Sequence, residues 1–125
     1  VYKKVNDYQK EFKENAMLLT DYSSVSFDFA YLKKPVIFTQ FDIDSFFEGQ
    51  LYEKGYFDYE NDDFGPICYD YETTLNTIIK YINNDCKLEK MYEERINNFY
   101  YKFDSKNCER IYNEILKLDR EKDGK

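Results

Sequence analysis

Thr20-Asp21-Tyr22-Ser23-Ser24-Val25, with Asp28 a helical turn further on, are the residues of this chain whose types and spacing suit chemistry. Two adjacent serines at a helix start place hydroxyls beside backbone N–H groups that have no partner within the helix, and the helix dipole adds partial positive charge there. All of these groups are donors, and a diphosphate is the ligand that matches them. Asp28 follows Ser24 by four residues, which on a helix puts its carboxylate on the same face. A carboxylate accepts hydrogen bonds and a ribose diol offers two. One helix face would then hold a phosphate at its end and a ribose one turn down, as a nucleotide-activated donor requires. The same residues also have a purely structural reading: serines that cap a helix, an Asp28 that faces water, and an Asp21 that forms a turn.

The elements that must position these residues are legible around them. Met17 to Thr20 is a short apolar run that reads as a buried strand, and the helix opened by Ser23 or Ser24 runs to about Leu32 with Val25, Phe29 and Leu32 as its stripe. A Lys33-Lys34-Pro35 corner follows, and Val36-Ile37-Phe38 is a second apolar run, continuous as in a strand covered on both faces. Strand, polar loop, helix and strand make a βαβ unit, and its loop lies at the carboxyl end of a strand, where parallel sheets bind ligands.

The rest of the chain surrounds that unit. A short helix is expected over Tyr8 to Asn15. The acidic and aromatic stretch from Asp42 to Phe64 reads as a long loop with a helical turn near Ser45 to Glu53. Gly65-Pro66 ends it, and Ile67 to Tyr69 reads as a third strand. Asp70 is placed to cap a helix over Tyr71 to Asn83, with Leu75, Ile78, Ile79 and Ile82 on its buried face. A second helix over Leu88 to Phe99 would bury Leu88, Tyr92, Ile96 and Phe99. A third, from about Ser105, would turn Cys108, Ile111, Ile115 and Leu118 inward, and the charged tail from Arg120 is expected to fray. The whole reads as one α/β domain, residues 1–125, with a parallel sheet and helices at its carboxyl end. Three strands suit half of a doubly wound domain.

Composition excludes several classes. Twenty-five acids against eighteen bases give a net charge of −7, which speaks against a nucleic-acid partner and against a simple electrostatic anchor on anionic lipid. Lys33-Lys34 is the one compact basic pair near the motif and reads as solvated loop lysines. There is no His, so neither a Ser-His-Asp nor a Cys-His centre can form within these residues. The three cysteines are widely spaced, which suits a reduced, cytosolic chain better than a zinc site. Acid pairs such as Asp42/Asp44, Asp58/Glu60 and Asp62/Asp63 lack the spacing of a calcium loop and read as solvated. The aromatic loop could stack on a base or substrate, or pack on a part of the fold outside these residues. No stretch approaches the roughly 20 apolar residues needed to span a bilayer.

Leu19-Thr20-Asp21-Tyr22-Ser23-Ser24-Val25, Phe27-Asp28-Phe29-Ala30, Lys34-Pro35-Val36-Ile37-Phe38 and Gly55-Tyr56-Phe57-Asp58-Tyr59 resemble the CDP-glycerol glycerophosphotransferase family, which includes teichoic-acid and capsule polymerases. Asp104-Ser105-Lys106-Asn107-Cys108-Glu109-Arg110 is similar to a closing segment that in the family reads closer to Asp-Gly-Lys-Ala-x-x-Arg. The resemblance implies a GT-B architecture, of which this chain would be the end of the carboxyl-terminal, donor-binding domain. It further implies transfer of glycerol phosphate or ribitol phosphate from a CDP donor to a polyol-phosphate or glycan polymer, with no cofactor, by a peripheral protein at the inner face of the membrane. It places Thr20, Asp21, Tyr22, Ser23, Ser24, Val25 and Asp28 at the CDP-glycerol site. The family's acid/base histidines fall outside this sequence, so no catalytic residue is expected within it, and the chain alone should bind donor weakly. A glycosyltransferase using a nucleotide-sugar, or a degenerate module without catalysis, would share the same motif.

Overall fold

In the computed structural model the described residues are Lys4, 6–46, Glu48, Phe57, Asp58 and 61–124. The elements run in the order α1 (Tyr8–Glu14), β1 (Leu18–Thr20), α2 (Val25–Tyr31), β2 (Val36–Thr39), α3 (Ile43–Phe46), β3 (Ile67–Cys68), α4 (Tyr71–Asn83), α5 (Lys90–Phe99) and α6 (Asn107–Asp123). The strands form one sheet in the order β1-β2-β3, parallel throughout, with Leu18 opposite Val36, Thr20 opposite Phe38 and Phe38 opposite Ile67. The α/β architecture and the βαβ unit expected from the pattern are present. The helical turn falls at Ile43–Phe46, and the expected continuation toward Glu53 lies outside the described residues, apart from Glu48.

β2 is the centre of the molecule because its apolar run is buried on both faces, with Val36, Ile37 and Phe38 at 0 % exposure. Val36 and Phe38 pack with Phe29 and Ala30 of α2, Phe64, and Ile96 of α5. Ile37 faces the other way, onto Cys68 and Tyr81 of α4. Alternating strand residues thus reach two separate helix layers.

Gly65 makes the sheet possible at β3, since a Cβ there would sit 1.7 Å from the carbonyl oxygen of Val36. α1 is held by a contact the sequence did not advertise. Lys34 is half-buried, and its Nζ donates to the carbonyls of Phe12 (2.6 Å), Asn15 (2.8 Å) and Lys13 (3.0 Å), ending α1 with a positive charge. Lys34 is therefore not a solvated loop lysine. A charged residue at a loop corner looks solvated until the fold brings three free carbonyls to it.

α4 turns inward a different face from the one its pattern predicts, and the expected inward face of α6 stays exposed. α4 begins as expected, with the Asp70 carboxylate accepting from the Thr73 N–H at 2.7 Å. It buries Thr74 and Tyr81 and half-buries Thr77 and Ile78, while Leu75, Ile79 and Ile82 stay exposed. The observed and expected faces differ by one residue, a rotation of about 100°. α5 buries Tyr92 and Ile96 as expected, but Phe99 is 37 % exposed and Leu88, half-buried, lies ahead of the helix. α6 leaves Cys108, Ile111, Ile115 and Leu118 exposed, and it continues as helix through the charged residues expected to fray, to Asp123.

Candidate functional site

The carboxyl ends of β1 and β2 lie side by side, and the loops leaving them are tied together. Tyr22 stacks on Phe46 with ring centroids 3.6 Å apart, and its hydroxyl donates to Asp42 Oδ1 at 3.2 Å. Thr39 Oγ1 donates to the Thr20 carbonyl at 3.3 Å. Asp42, read from sequence only as half of an acid pair, therefore braces the serine corner. Its distance in sequence from Tyr22 is why the pattern could not show this.

Within the corner, each residue singled out from sequence has a definite place. Thr20 ends β1 and is half-buried. Asp21 forms the turn, its carboxylate accepting from the Ser23 N–H at 3.2 Å. Val25 opens α2, and its N–H reaches Ser23 Oγ at a long 3.4 Å. Ser24 holds the N-cap position in a helical conformation, and its side chain makes no capping bond. The Ser24 N–H and hydroxyl have no protein partner among the described residues, and both serines are exposed. The simple cap reading thus fails for Ser24, whose donors face solvent. α2 is only seven residues long, so what the corner offers an anion is mainly these local donors.

Asp28 is exposed one turn along, on the same side of α2 as Ser24. It opens onto a cleft of about 320 Å³ formed with Phe27, Tyr31, Tyr100, Tyr101, Lys102 and Asn107. Tyr100 donates to the Phe27 carbonyl at 2.6 Å, and Tyr31 to the Lys102 carbonyl at 3.1 Å, fixing the strap after α5 against α2. Burial, and after it the nearby Asp28 carboxylate, push the Tyr100 hydroxyl above its ordinary pKa. Nothing in the local sequence around Asp28 marks this wall, because it comes from residues about 70 positions downstream.

The acidic loop residues are mostly committed to structure. Asp58 accepts from Asn61 Nδ2 at 2.8 Å, and Asp62 accepts from the Asp58 N–H at 3.0 Å. Asp63, expected to be solvated, is 4 % exposed and pairs with Arg95, and burial pushes its carboxyl up to about 7 against the pull of that guanidinium. Phe57 packs inward on Phe27 and Phe64, with centroids 5.1 and 5.3 Å away, so this part of the aromatic loop belongs to the chain's own core. Gly55, Tyr56 and Tyr59 lie outside the described residues. Gln40, just past β2, is 1 % exposed, and its amide nitrogen has no partner among the described residues. Among the described residues no three acidic or cysteine side chains converge to hold a metal ion.

The described residues thus form a parallel α/β domain with an exposed serine corner at the carboxyl end of β1 and a carboxylate one helical turn on, at the end of the strands where open parallel sheets bind ligands. The comparisons narrow that class. Residues 2–117 match the CDP-glycerol:poly(glycerophosphate) glycerophosphotransferase family, and the chain belongs to it. It is 38 % identical over 120 residues to the minor teichoic acid biosynthesis protein GgaB of Bacillus subtilis (strain 168), covering 96 % of this chain and 13 % of that protein. It is 31 % identical over 113 residues to the teichoic acid poly(glycerol phosphate) polymerase of the same strain, covering 90 % of this chain and 15 % of that one. With the teichoic acid glycerol-phosphate transferase of Staphylococcus aureus (strain NCTC 8325 / PS 47) the identity is 38 % over 104 residues, 80 % of this chain and 25 % of the relative. The chain thus spans a quarter or less of each of these relatives. No solved structure gives a significant match.

Proposed function

We propose that this chain is the donor-holding part of a transferase that moves glycerol phosphate, or a related polyol phosphate, from a CDP-activated donor to a teichoic-acid or capsule polymer. The observation that carries the reading is Ser24, an N-cap residue whose N–H and hydroxyl face solvent beside Ser23, one turn from an exposed Asp28. Membership of the family supplies the chemistry of the ligand. The donor's diphosphate lies against Ser23 and Ser24, and the Asp28 carboxylate accepts from the ribose hydroxyls. Thr20, Asp21, Tyr22 and Val25 shape the corner. A polymer hydroxyl attacks the β-phosphorus, the bond from that phosphorus to the bridging oxygen breaks, and CMP leaves with the added charge. Donors at the corner stabilise that charge as it grows. The groups that move protons belong to the opposite wall of a cleft between two domains of GT-B type, of which this chain supplies the end of the carboxyl-terminal one. The reading carries with it a cytoplasmic protein, peripheral at the inner face of the membrane. No helix among the described residues is long and apolar enough to cross a membrane.

The test is a donor panel on the intact protein. CDP-glycerol and CDP-ribitol are expected to support transfer, and UDP- or GDP-sugars are not. Ser24→Ala is expected to lower donor affinity or turnover at least several-fold. Turnover with a nucleotide-sugar would replace this reading with a glycosyltransferase. Absence of turnover with any donor would leave a binding module.

A further inference from the structure

β1 ends at Thr20 and α2 starts at Val25, so the serine corner is a loop of four residues. Some of its ties are local. The Asp21 carboxylate accepts from the Ser23 N–H, and the Ser23 carbonyl accepts from the N–H (3.2 Å) and the hydroxyl (3.0 Å) of the buried Ser26. Three more come from the chain after β2. Thr39 Oγ1 donates to the Thr20 carbonyl, Asp42 Oδ1 accepts from the Tyr22 hydroxyl, and Phe46 covers one face of the Tyr22 ring. The local ties act on Ser23, and the cross-strand ties act on Thr20 and Tyr22.

Asp42 and Phe46 work as one piece. The Asp42 carbonyl accepts from the N–H of Ser45 at 2.9 Å and of Phe46 at 2.8 Å, so a single short turn sets both the carboxylate and the ring that meet Tyr22. Tyr22 is half-buried and Asp42 is exposed, and neither belongs to a core cluster. Their contact therefore bears on where the corner sits more than on whether the domain folds. Asp42 also carries a charge of the wrong sign for an anion site. A carboxylate bonded to the residue two positions before Ser24 repels a diphosphate held there. Charge and geometry thus make opposite demands at Asp42, and its role can be read from the sign of its effect.

We propose that Asp42 and Phe46 are positioning residues for the donor. They hold Tyr22 so that the Ser23 and Ser24 hydroxyls and the Ser24 N–H keep one arrangement, and Tyr22 serves as a strut of the corner and not as a contact to the donor. The inference rests on the donor-corner reading above and adds residues outside the serine motif that set its affinity. A corner in place in only a fraction of molecules binds with an affinity lowered by that fraction.

Equilibrium titrations of the intact protein with inorganic pyrophosphate and with CDP test this. Tyr22→Phe removes the hydroxyl and keeps the stack, and it is expected to weaken both ligands about threefold or more. Phe46→Ala is expected to weaken them about fivefold. Asp42→Ala is expected to weaken both about threefold or more although it removes a repelling charge, whereas Asp42→Asn, whose amide oxygen still accepts, is expected to bind both at least as well as the parent. Tyr22→Phe combined with Asp42→Ala is expected to bind no more weakly than the weaker single variant, because both remove the same bond. Ser24→Ala is expected to weaken both ligands. If Ser24→Ala acts as expected while Asp42→Ala tightens binding, or Tyr22→Phe leaves it unchanged, or the two losses add in full, the strut is overturned and the donor corner stands. If Ser24→Ala changes nothing, the corner itself is refuted and the strut goes with it.

Discussion

Gly65 and Lys34 show how single residues hold the frame of the site. A Cβ at Gly65 meets backbone, the Val36 carbonyl, and not a side chain that could swing away. Gly65→Ala is expected to destabilise the fold by about 3 kcal/mol or more, read as a shift of the denaturant midpoint. A midpoint like that of the parent would show that β2 and β3 separate freely. Lys34 satisfies three carbonyls at the end of α1 with one ammonium group. Replacement by Met keeps much of the aliphatic stem and removes the donor, which should cost about 1–2 kcal/mol. Circular dichroism would show whether α1 is lost first. Asp21 and Ser24 divide the work at the corner. Asp21 spends its carboxylate on the turn, and that leaves the Ser24 donors free.

At the level of elements, the entry to α6 turns on one left-handed residue. Ser105 has φ of +58°, a left-handed conformation that costs most residues about 1 kcal/mol and glycine little. Glycine would adopt it without a Cβ penalty. Ser105→Gly should therefore raise stability by about 1 kcal/mol, and an unchanged or lower thermal midpoint would contradict that account. The neighbouring Asp104 carboxyl is drawn down from its ordinary 3.8 to about 2, chiefly by its hydrogen bonds from Arg110. A folded pKa below the unfolded one gives stability that is complete above pH 3.8 and is lost as pH falls toward 2. Urea midpoints measured from pH 5 to pH 2 should fall less steeply for Asp104→Asn than for the parent. Parallel curves would mean that Asp104 contributes nothing to this acid sensitivity. At α2, Val25 and Phe29 of the expected stripe turn inward, while Leu32 is the exposed C-cap. That Ser24 leaves its side chain uncapped was not readable from sequence, because a cap and a ligand site call for the same residue types.

For the molecule as a whole, the exposed apolar residues decide how the chain behaves. Leu75, Ile79 and Ile82 on α4, and Ile111, Ile115 and Leu118 on α6, are all between 42 and 61 % exposed. Among the described residues β1 and β3 are the edges of the sheet. Open edges and apolar helix faces favour association. The 125-residue chain alone is expected to sediment as larger species as its concentration rises, and Ile111→Lys with Ile115→Lys should reduce this without lowering the thermal midpoint. Monomeric sedimentation throughout would remove the premise. The serine corner and the Asp28 cleft, by contrast, need loops from β1 and β2 and the strap after α5 to be in place together. They are properties of the folded molecule.

The sequence by itself determined the α/β class, the βαβ unit, the α4 start at Asp70 and the family, because each rests on local periodicity, caps and a dense motif. It also marked Ser23, Ser24 and Asp28 as a set, since helical spacing fixes which side chains share a face. Only the tertiary structure decided which face of α4 turns inward, that Asp63 is buried against Arg95, and that Lys34 closes α1. It alone brought Tyr100 to Asn107 beside Asp28. These contacts join residues far apart in the chain, and no local pattern records a partner that arrives only when the sheet and its helices have packed.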